Sequence, residues 1–164
     1  MSYELYEAIA DGDLDKADQI ISSGENVNFV TANDKWTYLH QIADTDDAPI
    51  KSIQFLLDKG LDVNAIDSYG NTPLIYAVRQ RNLEGVRLLL ENGADKLIEH
   101  ENLDAVSALR MTLIGGGYNH DVIRALLEYG ANPDKKNHRG KTVRDRVKIV
   151  AGLPNNIQAL FAKY

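Results

Sequence analysis

Residues 70–95, GNTPLIYAVRQRNLEGVRLLLENGAD, decide the fold. Thr72 stands just ahead of an apolar run, where its side-chain oxygen can accept an orphan N–H from the first turn of a helix, worth about 1 kcal/mol. Pro73 follows at a position where a missing N–H costs nothing. Apolar residues then recur at helical spacing in two short stretches, PLIYAVRQ and EGVRLLLE. Gly93, after LLLEN, suits the left-handed residue that ends a helix. The segment therefore predicts two helices, both shorter than the roughly 12 residues that give even marginal stability in water. Such helices must pack on neighbours.

Outward from this segment the same markers return. Thr37, Thr72, Ser107 and Thr142 are each 35 residues apart, within DKWTYLHQIA, YGNTPLIYAV, DAVSALRMTL and RGKTVRDRVK. The helix-ending glycines Gly24, Gly60, Gly93 and Gly130 follow at intervals of 36, 33 and 37. Two independent markers with one period predict a stack in which each helix pair buries its face against the next. Units fall at about 3–34, 35–69, 70–104, 105–139 and 140–164, a single domain over 1–164 with the first and last units as caps. The period also disposes of HRGKT (138–142) as the tail of a phosphate-binding loop. That loop needs a glycine five residues before Gly140, where Lys135 stands, and GKT simply fills the slot of GNT at 70–72.

These repeats resemble the ankyrin family. The stretch 70–95 follows the pattern G-x-T-P-L-H-x-A…G-x…V-x-x-L-L-x-x-G-A-D closely; the second and fourth units match well and the end units loosely. Lys35 replaces the usual glycine and Tyr38 the proline, which predicts a wider turn there. ADTDDAPIK and GGGYNH lengthen the connections inside units two and four. Ser2, Asp13 and Pro154–Asn155 are the expected helix starts near the ends. The resemblance implies an all-α solenoid of about five helix-turn-helix units with short β-turn finger loops. It also implies a concave face of finger tips and first helices that binds other proteins, and in which His40, in the TYLH slot, ties one repeat to the next.

Carried over by position, that face takes Tyr69 and Asn71 from the third finger and Arg79 and Gln80 from the helix behind it. Unit two offers Asp34, Trp36, Asp44 and Thr45, with Asp46 and Asp47 just beyond. Unit one adds Glu7 and Asp11; unit four adds Glu101, Asp104 and Val106. Trp36, the single tryptophan, has two readings: packing over the widened turn, or anchoring a partner, since tryptophan and tyrosine concentrate interface energy. With Tyr69 it is expected to flank an acidic patch of Asp44, Asp46 and Asp47 that receives a Lys/Arg-rich surface.

Charge gives the same direction. The net charge of −6 divides into −8 over residues 1–82 and +2 over 83–164. An acidic half repels nucleic acid and favours basic partners. There is no cysteine, so no disulfide or thiolate metal site. No two of His40, His100, His120 and His138 stand at i, i+3 or i+4, and TDDAPIK lacks the alternating carboxylates and closing glutamate of a calcium loop. Gly115–Gly117 reads as a lengthened connection rather than a phosphate cradle. No acid–base couple or activated nucleophile is visible, so no catalytic residue, cofactor or metal is expected. The acidic start MSYELYEAIADGD has no signal-peptide pattern, and no apolar run approaches the roughly 18 residues of a membrane span. A cytoplasmic chain, monomeric when free, is the expectation.

The leading expectation is a non-enzymatic module gripping a basic protein. Short acidic arrays of this kind resemble small bacterial immunity proteins that neutralise a cognate toxin, for which a nuclease supplies a basic surface. The alternative is a scaffold or regulatory adaptor that contacts an acidic protein or anionic surface through the basic run KKNHRGKTVRDRVK (135–148), with Lys135, Lys136, Arg139 and Lys141 in contact.

Overall fold

A computed structural model describes residues 1–164 as an all-helical chain with ten α-helices and no strand. The helices form five successive pairs. These are α1 (Tyr3–Ala10) with α2 (Leu14–Ser22), α3 (Tyr38–Ala43) with α4 (Ile50–Asp58), and α5 (Pro73–Arg79) with α6 (Leu83–Glu91). Then come α7 (Ala108–Met111) with α8 (His120–Glu128), and α9 (Val143–Ile149) with α10 (Asn155–Lys163). First helices stack on first helices along α1, α3, α5 and α7, and second helices along α4, α6, α8 and α10. The result is an ankyrin-type solenoid.

The hydroxyl markers do one job four times. Thr37, Thr72, Ser107 and Thr142 each accept the backbone N–H three residues on, from His40, Ile75, Arg110 and Asp145. Ser2 and Asp13 cap α1 and α2 in the same way, while α4 and α10 begin behind Pro49 and Pro154 without a side-chain cap. Gly93 ends α6 at φ 98°. Fourteen residues separate Gly93 from Ser107, against twelve from Gly60 to Thr72. A 3₁₀ turn at Ala94–Leu97 takes up that excess.

Burial follows position in the stack. Central α5 lies between α3 and α7 and buries six of its seven residues, Pro73 to Val78. Terminal α9, VRDRVKI, buries only Val143. One continuous apolar cluster runs from Leu5 in the first pair to Phe161 in the last. Each fully buried Leu, Ile or Phe contributes about 1.5–3 kcal/mol, which is what these short helices lack alone.

Between pairs the chain makes finger loops, each closed by a backbone bond. Asp67 donates to Asn71 O at 3.0 Å, Asn102 to Val106 O at 3.1 Å and Asn137 to Lys141 O at 2.9 Å, all four residues apart. The second unit closes over five, Thr31 to Trp36 at 3.0 Å, so the turn is wider by one residue. Its Lys35 takes the left-handed conformation that Gly70 and Gly140 take elsewhere. Fingers are strapped to one another by Ser68 N–H to Asp34 O (2.9 Å) and Leu103 N–H to Tyr69 O (3.0 Å).

Two glycines separate backbone strain from finger packing. Gly70 (φ 81°) and Gly140 (φ 71°) are equally left-handed. A Cβ at Gly70 would stand 3.0 Å from Asn102 Cα and 3.2 Å from Leu103 N, whereas at Gly140 nothing lies within 4 Å. Gly140→Ala should cost about 1 kcal/mol of conformational strain, and Gly70→Ala roughly 2–3 kcal/mol because the next finger must also shift. Urea unfolding measures both, and equal losses would refute the close packing of fingers.

Candidate functional site

The third finger is organised by one carboxylate. Asp67 is 4% exposed and its two oxygens have different tasks. Oδ1 accepts the backbone N–H groups of Tyr69 (2.9 Å) and Asn71 (2.8 Å), shaping the turn as Asx side chains do. Oδ2 accepts Trp36 Nε1–H (3.1 Å) and the Tyr76 hydroxyl (2.6 Å). Asn71 Nδ2–H donates to the same Tyr76 hydroxyl at 3.1 Å, and Asn102 Nδ2–H to Asn71 Oδ1 at 2.9 Å. Side chains from three successive fingers and α5 thus share one network. A buried charge is tolerated only with its acceptor sites filled, and here two main-chain and two side-chain donors fill them. Burial and the Asp67 acceptor push the Tyr76 hydroxyl far above the usual tyrosine range.

His40 closes the network from behind. It is fully buried; Nδ1 accepts Thr37 N–H at 3.2 Å, so Nε2 carries the proton and donates to Ala65 O (3.1 Å) and Asn71 O (3.3 Å). This is the inter-repeat tie expected of the TYLH histidine. Burial holds its imidazolium below the ordinary range, with Asp67 pulling the other way.

In front of the network lies a groove of about 450 Å³ on the concave side. Trp36, Tyr69, Asp104 and Val106 line it from the fingers, Arg79 and Met111 from α5 and α7, and Ile114 from the connection after α7. The Trp36 ring meets Tyr76 edge-on at 5.1 Å, and the Arg79 guanidinium covers the other ring at 4.6 Å. Tyr69 is 54% exposed and its hydroxyl donates to Asp34 Oδ1 at 3.3 Å. The Trp36 N–H is fixed inward on Asp67, and its partly exposed ring forms groove wall.

Of the residues placed on the partner-binding face, Trp36, Tyr69, Asn71, Arg79, Asp104 and Val106 come together at this groove. Asn71 is buried there, with both ends of its amide already bonded. The acidic patch does not assemble as expected. Asp44 accepts Arg79 Nε–H at 3.0 Å and Gln80 Nε2–H at 2.9 Å, so its charge is already matched by the next repeat. Asp46 and Asp47 sit in the connection from α3 to α4 and open on a separate hollow with Gln80, Arg81 and Glu84, so Trp36 and Tyr69 do not flank them. Glu101 is occupied by His138, from its backbone N–H (3.0 Å) and its Nδ1 (2.9 Å).

Tyr76, Asn102, Met111 and Ile114 in the groove wall, and Asp67 behind it, are the residues that sequence reasoning passed over. The signal for Asp67 was present, because Asp67, Asn102 and Asn137 are also 35 apart. Asn102 Oδ1 accepts the N–H groups of Asp104 and Val106, and Asn137 Oδ1 those of Arg139 and Lys141, in the same turn. The Gly115–Gly117 connection is tied down by Arg81 Nη2–H to Gly116 O at 2.6 Å. Within the basic run, Lys135 pairs with Glu99, Arg139 with Asp104 and Arg144 with Asp134. No three carboxylates or imidazoles converge in a group able to hold a metal ion, and no helix is long and apolar enough to cross a membrane.

Comparison with known proteins gives concordant matches. A family model described as ankyrin repeats (3 copies) matches residues 5–100. The chain is 31% identical over 150 residues to human ankyrin repeat and SOCS box protein 6, covering 80% of this chain and 35% of that protein. It is 33% identical over 125 residues to an ankyrin repeat protein of Acanthamoeba polyphaga mimivirus, covering 71% of this chain and 74% of the viral one. A fowlpox virus ankyrin repeat protein is 32% identical over 114 residues, with 69% of this chain and 16% of that protein aligned. The chain therefore spans only a minor part of the human and fowlpox relatives.

The Asp67 network makes two predictions. Asp67→Ala strands four donors and should cost more than about 3 kcal/mol. Asp67→Asn keeps one acceptor for the turn, as Asn102 and Asn137 do, but sets an amide N–H₂ against the Trp36 N–H, and should cost about 1–2 kcal/mol. Denaturant midpoints read the difference, and equal losses would contradict the two-sided role. For His40, the unfolded chain binds a proton more readily than the fold. Stability is therefore full above the free-histidine pKa of about 6.5 and falls as the pH drops from there through the lower folded value. His40→Gln should flatten the dependence of unfolding free energy on pH between about 7 and 5.5. An unchanged slope would place the titration elsewhere.

Proposed function

Because the chain belongs to the ankyrin repeat family, whose repeats are generally protein–protein interaction modules, we propose that it seats a basic partner protein on its concave face. The observation that carries this is the groove itself. Trp36, Tyr69, Val106, Met111 and Ile114 present aromatic and aliphatic surface beside the ion-paired Arg79, and the Trp36 and Tyr76 rings are already fixed through Asp67. Side chains held before binding lose little freedom on binding, so their contact area converts to affinity efficiently. Charge supports a basic partner. Residues 1–82 carry a net −8, and Asp46 and Asp47 are exposed at the rim of the adjoining hollow. Such a field mainly accelerates encounter and selects partners, while the groove sets the lifetime of the complex. A cognate nuclease-like toxin, held by this chain as its immunity protein, is a partner of that chemistry.

The test begins with affinity capture by the full chain and mass spectrometry of what is retained, followed by kinetics on the purified partner. A basic protein should be captured. Tyr69→Ala with Ile114→Ala should weaken it at least about tenfold, through faster dissociation. Asp46→Lys with Asp47→Lys should slow association and reduce its salt dependence, leaving dissociation nearly unchanged. A partner unaffected by the groove pair would place the interface elsewhere, and an acidic partner would overturn the charge assignment.

A further inference from the structure

We propose that a second, separate recess at the other end of the concave side, formed by Arg110, Lys141, Arg146 and Lys148, docks an acidic segment of a partner protein. The recess is about 470 Å³. Arg110 comes from α7, Lys141 from the last finger, and Arg146 and Lys148 from α9, so two repeats build it. It lies beyond the aromatic groove, since Arg110 and its neighbour Met111 open on different hollows.

What sets these four cations apart is that they share one concavity without an ion-pair partner. Arg79, Arg124, Arg139 and Arg144 each meet a carboxylate, and none of the four does. Arg146 reaches only a main-chain acceptor, Leu113 O, at 3.4 Å. The one acid in the recess is Asp145, whose carboxylate accepts Thr142 N–H at 3.1 Å and so caps α9. Burial and then the neighbouring Arg146 hold the Arg110 guanidinium below its usual range, with Arg139 adding to the effect and Glu101 opposing it. Like charges gathered in one recess repel one another, and an anion entering it relieves that repulsion. Two planar guanidinium forks suit carboxylates, which they can grip with paired N–H groups.

The surroundings choose among polyanions. No aromatic side chain lines the recess for base stacking, and a strand long enough to leave it would meet the −8 half of the chain. A bilayer offers a flat sheet of charge, whereas this site is recessed between a finger and two helices. A short run of Asp and Glu side chains matches both the size and the sign.

The experiment is fluorescence anisotropy of the full chain with a labelled peptide of Glu-Ala repeats. Saturable binding at about 50 mM salt, weakening as salt rises, is expected. Arg110→Gln with Arg146→Gln should weaken it about tenfold or more. Lys141→Gln with Lys148→Gln, on exposed side chains that leave the fold intact, should weaken it several-fold. Tyr69→Ala should leave it unchanged, which separates this site from the partner groove above. The proposal is overturned by absence of binding at low salt, by a Lys-Ala peptide binding equally well, or by insensitivity to the lysine pair. Tighter binding of single-stranded DNA or of phosphatidylserine vesicles than of the peptide overturns the choice of occupant.

Discussion

The longest helices in this chain run nine residues and the shortest four. Isolated helices need about 12–15 residues to persist in water. Everything else in the structure answers that shortfall. Side-chain caps on eight helices satisfy first-turn N–H groups that no helix can bond within its own ladder, and in helices this short those groups are a large share of the whole. The apolar cluster has no break between the first and last pairs, since a break would leave helices on both sides without support. The gradient from α5, buried on six of seven residues, to α9, buried on one, follows from having two neighbours or an end.

Stacking fixes helices but not the loops that reach beyond them. The fingers have no core of their own and are held mainly by hydrogen bonds: the two backbone straps, Ser68 to Asp34 and Leu103 to Tyr69, and the Asp67 network. Because Trp36 and Tyr76 donate to Asp67, the bonds that stabilise the fingers also set the wall of the groove. Scaffold and groove wall are therefore one object. Loosening the carboxylate would free both rings together, so the groove wall has a rigidity that exposed aromatic side chains seldom have.

The fold was legible because its determinants are local and repeated. A hydroxyl before a helix and a glycine after it act within one turn, so their 35-residue spacing survives in the sequence. The groove was half legible. Trp36, Tyr69, Arg79 and Asp104 occupy positions whose outward direction the repeat dictates. Asp44 could not be assigned from its position alone, because its partners Arg79 and Gln80 stand 35 and 36 residues away and are specific to one junction. Asp46 and Asp47 were misplaced because the lengthened connection carries them past the helix end to another hollow. Asp67 was hidden by the chemistry of its turn. In Asn102 and Asn137 the same slot is a loop-shaping amide, and only the second oxygen of an aspartate, with an indole and a phenol in reach, turns it into a hub.

The charge pattern has a cause in the same one-dimensional architecture. Every ion pair in the chain joins groups in the same repeat or in adjacent ones: Lys59 with Asp18, Arg79 with Asp44, Lys135 with Glu99, Arg139 with Asp104. A compact globule can fold its acidic half onto its basic half. A solenoid cannot, because each repeat touches only its neighbours and stacked helices advance roughly 8–10 Å at a time. Ends several repeats apart lie beyond the Debye length of about 8 Å at physiological salt. The acidic surplus of the first repeats and the cations around Arg110 and Arg146 therefore never neutralise each other within one molecule. Each is left to be met by its own repeat, by an adjacent one, or by something outside the chain.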